Sequence, residues 1–383
     1  MIKTLFTLFL IIFSLLLSSK LAFAQESTPE PDPLLTHAYR DAVIYAGPGE
    51  TYLILGTLRA GIEVTIAERN RIGNWLHVQR PGAQADTFAV EGWVMTGYLS
   101  LAPTLRFSEV TVNNELIDAD ITTVESDTLQ RLYAVPIIPQ ISEAMRRVYA
   151  QGQMRGNDSH SVTKIGDSLS ESPIYLQIMA EPQSVLGAYD YLAETIGYYG
   201  ESAGLPSVAA VIGLSSIVVF DPTWADPGLC EPNETPLACE YRRKQPSVSF
   251  IMFGPNDLRT ISAERYAEQM RRIIEETLDL GIIPVVSTFS CDPQEQYWDQ
   301  CLLFNLALVD LAVEYEIPLI NLWSAARSLP DYGLDVDRVH LAFSGFRYLK
   351  YDTGHESWFG VSLQNLLALV TLDEIRRTLR LEF

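Results

Sequence analysis

From residue 161 onward, short apolar runs alternate with longer amphipathic ones, and this alternation constrains the fold more than any other feature of the chain. The short runs are Val162–Ile165, Val208–Ile212, Val248–Phe253, Ile282–Ser287 and Ile317–Leu322. Each is a few residues long and rich in apolar, often β-branched side chains, the mark of a buried strand. Between and after them lie Val185–Tyr199, Ala263–Leu280, Tyr297–Tyr315 and Leu363–Arg380. In the second of these, Tyr266, Met270, Ile273, Ile274 and Leu278 fall on one helical face, and Gly281 follows as a stop. Strands joined by helices run parallel, with helices covering both faces of the sheet. The expected fold class is therefore α/β, a three-layer α/β/α sandwich with a parallel sheet. Parallel strands put their carboxyl ends on one edge. The loops after Ile165, Ile212, Phe253 and Ser287 should lie near one another there, where open α/β sheets bind ligands.

Those loops carry reactive groups. The first holds Gly166-Asp167-Ser168, the second Gly213-Leu214-Ser215-Ser216 and the third Gly254-Pro255-Asn256-Asp257. Downstream of the fifth run comes Asp337-Arg338-Val339-His340. Any one of these blocks reads as an ordinary turn. Together they are the inventory of a serine hydrolase: a hydroxyl nucleophile, a base, an acid to orient the base, and amide donors. The expected catalytic residues are Ser168 as nucleophile, His340 as general base and Asp337 as its partner. The expected oxyanion donors are the backbone N–H of Ser168, that of Gly213 or Ser216, and the Asn256 side chain. Asp167 and Asp257 read as structural, tying the loops together. No cofactor and no metal are expected. His160 and His355 receive no role, although His160 stands close enough in sequence to line a cleft.

The order and spacing of Gly166-Asp167-Ser168, Gly254-Pro255-Asn256-Asp257 and Asp337-x-x-His340 resemble the SGNH, or GDSL-type, hydrolase family over residues 161–383. The resemblance implies a flavodoxin-like strand order and ester hydrolysis through an acyl-enzyme. In that family a glycine N–H usually joins the oxyanion hole, and the glycine often follows a small polar residue. Gly213 follows Ile212 instead, so Gly213 and Ser216 compete for that place.

The chain has 383 residues, with room for more than one folded unit, and its formal net charge is -21. So acidic a surface repels phosphate backbones, which argues against a nucleic-acid partner. The first residues read as an export signal: Lys3, an apolar run from Leu5 to Leu17, and Ala22-Phe23-Ala24 as a cleavage site after Ala24. The protein is then expected to be secreted or held at the cell surface, with no stable membrane insertion after cleavage. Residues 25–36 read as a leader. Across 37–101, short β-branched runs alternate with the turn signals Ala46-Gly47-Pro48-Gly49, Ala60-Gly61 and Arg80-Pro81-Gly82. This pattern, with Tyr45-Ala-Gly-Pro-Gly49, Trp75-Leu-His-Val78 and Gly92-Trp93-Val94, resembles a bacterial SH3-like domain, an all-β barrel. That resemblance implies a cell-wall polymer as a partner; Trp75 and Trp93 read equally well as core aromatics. Residues 102–135 read as a linker, and 136–383 as the α/β domain, entered by a helix around Ile141–Tyr149.

Four cysteines, Cys230, Cys239, Cys291 and Cys301, allow three pairings. Export permits disulfides, and the local pairing, 230 with 239 and 291 with 301, closes two short loops. The second would place Tyr297 and Trp298 as a wall beside the active edge. The functional expectation is an exported serine esterase acting on acyl or acetyl esters, on carbohydrate or peptidoglycan. The alternatives are a wall-binding protein with little activity, or a lipase or thioesterase of the same fold.

Overall fold

The computed structural model describes residues 32–80 and 90–382. The expected signal peptide, most of the leader, and Pro81-Gly82 of one turn signal lie outside the described residues. Turns break the first described segment into short antiparallel strands: β1 (Leu35–His37), β2 (Ala42–Tyr45), β3 (Ile54–Leu58), β4 (Glu63–Arg69), β5 (Trp75–Gln79) and β6 (Glu91–Met95). They pair in the order β1-β4-β5-β6-β2-β3, and β7 (Thr111–Val112) adds to β4. Period-2 patterning decides which face is buried: Val64 and Ile66 of β4 are at most 2% exposed, while Glu63 between turns is exposed. Trp75, Trp93 and Met95 are buried in a separate small cluster with Tyr45 and Tyr98.

Residues 102–135 are a packed junction. Helix α1 (Asp127–Tyr133) is capped by Ser126, and Leu132 is fully buried. Phe107 is fully buried too, edge-on against Tyr189 with ring centroids 4.9 Å apart. Around this contact, Arg69 Nε donates to the Phe107 carbonyl (3.0 Å), Arg106 pairs with Asp190 (3.0 Å) and Arg71 with Glu374 (2.9 Å). Arg40 lies between the rings of Tyr98 and Trp358, 4.3 and 4.5 Å from their centroids. One hydrophobic core therefore runs through both sheets, and residues 33–383 form a single compact unit.

Helix α2 (Glu143–Arg155) runs six residues past its expected end at Tyr149 and stops at Gly156, which takes a left-handed φ of 91°. The second sheet follows, with β8 (Asp158–Gly166), α3 (Ser168–Glu171), α4 (Ala193–Ala203), α5 (Pro236–Lys244), β9 (Pro246–Met252), α6 (Ala263–Asp279), β10 (Ile283–Ser287), α7 (Trp298–Tyr315), β11 (Leu319–Ile320), α8 (Leu322–Ala326) and α9 (Gly360–Leu379). All of its pairings are parallel, with Ile165 opposite Ile251, Val248 opposite Ile283 and Val286 opposite Leu319. Helix α4 packs on β8 and α9, while α6 packs on β10 and α7. Every residue of β9 is buried, as expected for the middle of a covered sheet.

The run Val208–Ile212 is a correction to the expected strands. It meets β8 by a single parallel bridge, Ala210 to Gly166, instead of a ladder. The reason lies in its N–H groups: Pro206 just before it has none, and the Val208 N–H is taken by the Glu240 carboxylate at 2.8 Å. Placed beside β8, the run still gives the spatial order 208–212, β8, β9, β10, β11. The strand order reverses between β8 and β9, which is the topological switch point of a flavodoxin-like sheet. Both disulfides take the local pairing, Cys230–Cys239 and Cys291–Cys301.

Candidate active site

The switch point is where Ser168 sits. Strand β8 ends at Gly166, where a Cβ would come within 2.2 Å of the Met252 carbonyl and 2.3 Å of Ser170 Oγ. Only glycine lets the chain turn that close to β9. Asp167 then caps α3, accepting the Leu169 N–H at 3.0 Å. The turn leaves Ser168 half-buried.

The last loop reaches the same point from the far side of the sequence. Leu334 and Leu341 bridge antiparallel, and the Asp335 N–H bonds the His340 carbonyl, closing a short loop. Inside it, one oxygen of Asp337 accepts the backbone N–H groups of Val339 (3.0 Å) and His340 (2.9 Å). Its other oxygen lies 2.6 Å from His340 Nδ1, and His340 Nε2 lies 2.9 Å from Ser168 Oγ. The structure thus joins three of the expected residues in one line of hydrogen bonds. Burial pushes the Asp337 carboxyl up, but the bonds from the His340 ring and from the two backbone N–H groups outweigh it and hold the group at about 2. The side chains of His340 and Asp337 are 48% and 49% exposed, so this pair lies on an open surface.

The second and third loops are locked to each other. Asp257 accepts the Ser216 hydroxyl at 2.8 Å and its N–H at 3.2 Å, and Asn256 Nδ2 donates to the Leu214 carbonyl at 3.0 Å. Ser216 is one of the expected oxyanion donors. Its N–H is buried and spent on Asp257, so it is not offered to a substrate. Gly213 is exposed and takes φ +82° in the turn closed by Leu214 N–H to the Val211 carbonyl, a conformation that favours glycine. Among the described residues the N–H groups of Gly213 and Ser168 have no protein acceptor, and Asn256 keeps a second amide N–H.

Beneath the site two carboxyls lie close together. Asp167 is fully buried and its Oδ2 has no partner. Burial, and next the charge of Asp257, raise it to about 7, against the pull of the Leu169 N–H, of His340 and of the Asn256 N–H. Asp257 is raised in the same direction by burial, with the Ser216 bonds opposing. The sequence reading missed Lys164. This lysine of β8 is buried, and its Nζ donates to the carbonyls of Ser172 (2.9 Å), Tyr175 (3.0 Å) and Glu171 (3.4 Å), clamping the chain that leaves α3. The available signal was a charged residue inside an otherwise apolar strand, two residues before the glycine turn. Burial lowers the amine to about 7.

His160 does not reach the site. It stands at the amino end of β8, stacked on Tyr198 at 4.1 Å between ring centroids. His355 packs against Phe346 and Phe359. The Cys291–Cys301 loop does border the site: Trp298, Phe289 and Cys291 help line a small pocket of about 70 Å³ whose other wall includes Asp337 and Arg338.

No family model matches the chain, and no curated protein matches it. Solved structures similar to part of it are SGNH or GDSL-type hydrolases and esterases. A GDSL-like lipase from Bacteroides thetaiotaomicron is 12% identical, covering 61% of this chain and 98% of that one, with a TM-score of 0.37. An acetylxylan esterase from Geobacillus stearothermophilus is 14% identical, covering 58% and 94%, with a TM-score of 0.35. A psychrotrophic esterase from Pseudoalteromonas is 12% identical, covering 58% and 100%, with a TM-score of 0.35. Identities and TM-scores this low transfer no activity, and the site's own geometry has to carry the functional reading.

Proposed function

We propose that the protein is a serine ester hydrolase in which Ser168, His340 and Asp337 act as the catalytic triad. The observation that carries this is the continuous line from Ser168 Oγ through His340 to the Asp337 carboxylate, with contacts of 2.9 and 2.6 Å. His340 Nε2 takes the Ser168 proton as Oγ attacks the ester carbonyl carbon. The resulting imidazolium is stabilised by Asp337 and returns that proton to the leaving alcohol as the carbon–oxygen bond breaks. Water then repeats the sequence on the acyl-enzyme, releasing the acid and restoring the serine. The negative oxygen of each tetrahedral intermediate is assigned to the N–H groups of Ser168 and Gly213 and the free amide hydrogen of Asn256. Each such donor is worth about 10²–10³ in rate. Ser216 has no part in this hole; its bonds to Asp257 hold Gly213 and Asn256 in a common frame.

Export fits the two disulfides, which persist in oxidising compartments. Among the described residues no helix is long and apolar enough to cross a membrane. The antiparallel sheet of residues 35–95 is read as the SH3-like module that holds the enzyme on a wall polymer. The open setting of His340 and Asp337 suits an acyl group carried on a large molecule better than one drawn into a tunnel. Turnover of p-nitrophenyl acetate tests the assignment. Ser168→Ala should lower kcat by at least ~10³-fold with an unchanged circular dichroism spectrum. A variant that keeps a tenth of wild-type turnover would remove Ser168 from the mechanism. Comparing acetyl, butyryl and longer esters in the same assay fixes the acyl class.

A further inference from the structure

A second cavity, of about 450 Å³, lies where the antiparallel sheet, the junction segment and the α/β sheet meet. All three supply its walls. Glu50, Asn74 and Trp75 come from the first sheet and its turns, Asp118 and Tyr133 from the junction, and Trp298, Trp323, Arg327 and Tyr332 from the α/β part. The volume is that of a ligand site, and the lining has the usual make-up of one: aromatic walls with a few polar groups among them.

Its polar groups are only partly satisfied by the protein. Arg327 lies over the rings of Tyr332, Trp323 and Trp298, 4.3, 4.9 and 5.5 Å from their centroids. Its Nε and Nη2 donate to the Trp323 carbonyl, the Cys291 carbonyl and Ser290 Oγ, and among the described residues none of its hydrogen bonds goes to a carboxylate or uses Nη1. Trp323 is fully buried, and its Nε1 has no acceptor among the described residues. A buried donor without an acceptor is costly and calls for a ligand or water to complete it. Also on the lining, Glu50 has no cationic partner among the described residues, and burial raises it; Asp118 accepts a bond from Asn70, and burial raises it to about 6.

We infer that this cavity is a saccharide-binding subsite, taking two or more β-linked pyranose units of the polymer that bears the ester. Such a ligand presents flat C–H faces to the aromatic rings. Along its edges hydroxyls donate to Glu50 and Asp118, while hydroxyl, ring and acetamido oxygens accept from Arg327 and Trp323. An acyl chain would leave these charged groups unpaired, and a phosphate would meet two carboxylates. The cavity shares a wall residue with the pocket beside Asp337. Trp298 also lines the small pocket beside Asp337, and Arg327 is tied to Ser290 and Cys291 of that same wall. A glycan seated here would carry a substituent on a neighbouring sugar toward Ser168. In this respect alone the inference rests on the esterase reading, since binding needs no turnover.

The test separates the two. Full-length Ser168→Ala protein is titrated calorimetrically with xylotetraose, cellotetraose and tetra-N-acetylchitotetraose, and the ester activity of the wild type is measured independently. At least one tetrasaccharide should bind with a Kd of ~1 mM or tighter. Adding Trp298→Ala or Tyr133→Ala should weaken that binding at least ~10-fold, while Trp298→Phe, which keeps a ring, should stay within ~3-fold. The inference is overturned if none of the three binds, if binding survives both alanine variants, or if choline binds in their place. Glycan binding by a protein whose wild type hydrolyses no ester would uphold the subsite and sink the esterase reading instead.

Discussion

Replacing Asp167 by asparagine isolates one proton at the base of the site. Asp167 is fully buried, its Oδ1 caps α3 through the Leu169 N–H, and its Oδ2 is unpartnered. Burial, then the nearby Asp257, lifts its carboxyl from 3.8 to about 7. A carboxyl raised by folding contributes stability that is complete below its ordinary pKa and is lost as pH rises through the folded one. From pH 5 to pH 9 the loss covers about two pKa units, or about 2.7 kcal/mol at 1.36 kcal/mol per unit. Asparagine keeps an oxygen for the cap and has no proton to lose. Urea unfolding followed by tryptophan fluorescence at both pH values gives the four free energies needed. Wild type alone would mislead: Glu356, raised by burial to about 8, also loses stability with pH, and Lys164, lowered to about 7, gains it toward 10.5. The variant carries both, so the difference between the two proteins leaves Asp167. Wild type should fall about 2–3 kcal/mol further than Asp167→Asn between pH 5 and 9. Equal changes within about 0.5 kcal/mol would refute the buried, protonated Asp167.

Asp337→Asn should lower kcat for p-nitrophenyl acetate by about 10³–10⁴-fold, because the amide cannot hold Nδ1–H and stabilise the imidazolium; a loss under ~10-fold would remove Asp337 from that role. Because its hydrogen bonds hold Asp337 at about 2 against burial, it stays ionised through mild acid, and the activity of the wild type should show no titration step from this group above about pH 4. Lys164→Met strips donors from the carbonyls of Glu171, Ser172 and Tyr175 and should cost about 2–3 kcal/mol at pH 10. At pH 6 the cost should be smaller, because there the wild type bears the penalty of a buried charge that folding disfavours below its ordinary pKa; an equal loss at both pH values in urea denaturation would contradict it.

The α/β half was legible because its signals are local. Val248–Phe253 has no polar face to spare, and Tyr266, Met270, Ile273 and Ile274 leave one helical period open to interpretation; the structure buries all four. Val208–Ile212 misled for the opposite reason. Its apolar residues suit a strand, but pairing depends on where its N–H groups go, and the one at Val208 goes to Glu240, 32 residues downstream. The junction was less legible still. Residues 102–135 show weak periodicity because they do not form one face of one element. Phe107 fills space between Arg69 and Tyr189, and Asn321, in the α/β half, holds the Leu132 and Val135 carbonyls through its amide. Such contacts are specified by partners 38 to 189 residues away, so no short window along the chain contains them.

The contest between Gly213 and Ser216 shows the same limit inside the site itself. Both lie in one loop, and each has a backbone N–H that could face an oxyanion. What separates them is a carboxylate on another loop, for Asp257 takes both the hydroxyl and the N–H of Ser216. Read alone, Asp257 belongs to a Gly-Pro-Asn-Asp turn. Its acceptors make it the residue that decides which neighbour may donate. A charge buried beside Asp167 needs those bonds, since the two carboxyls repel and burial raises both. The bonds of Asp257 thus occupy the Ser216 N–H, while Gly213 in the same loop stays exposed, and the proposed donor set follows from that difference.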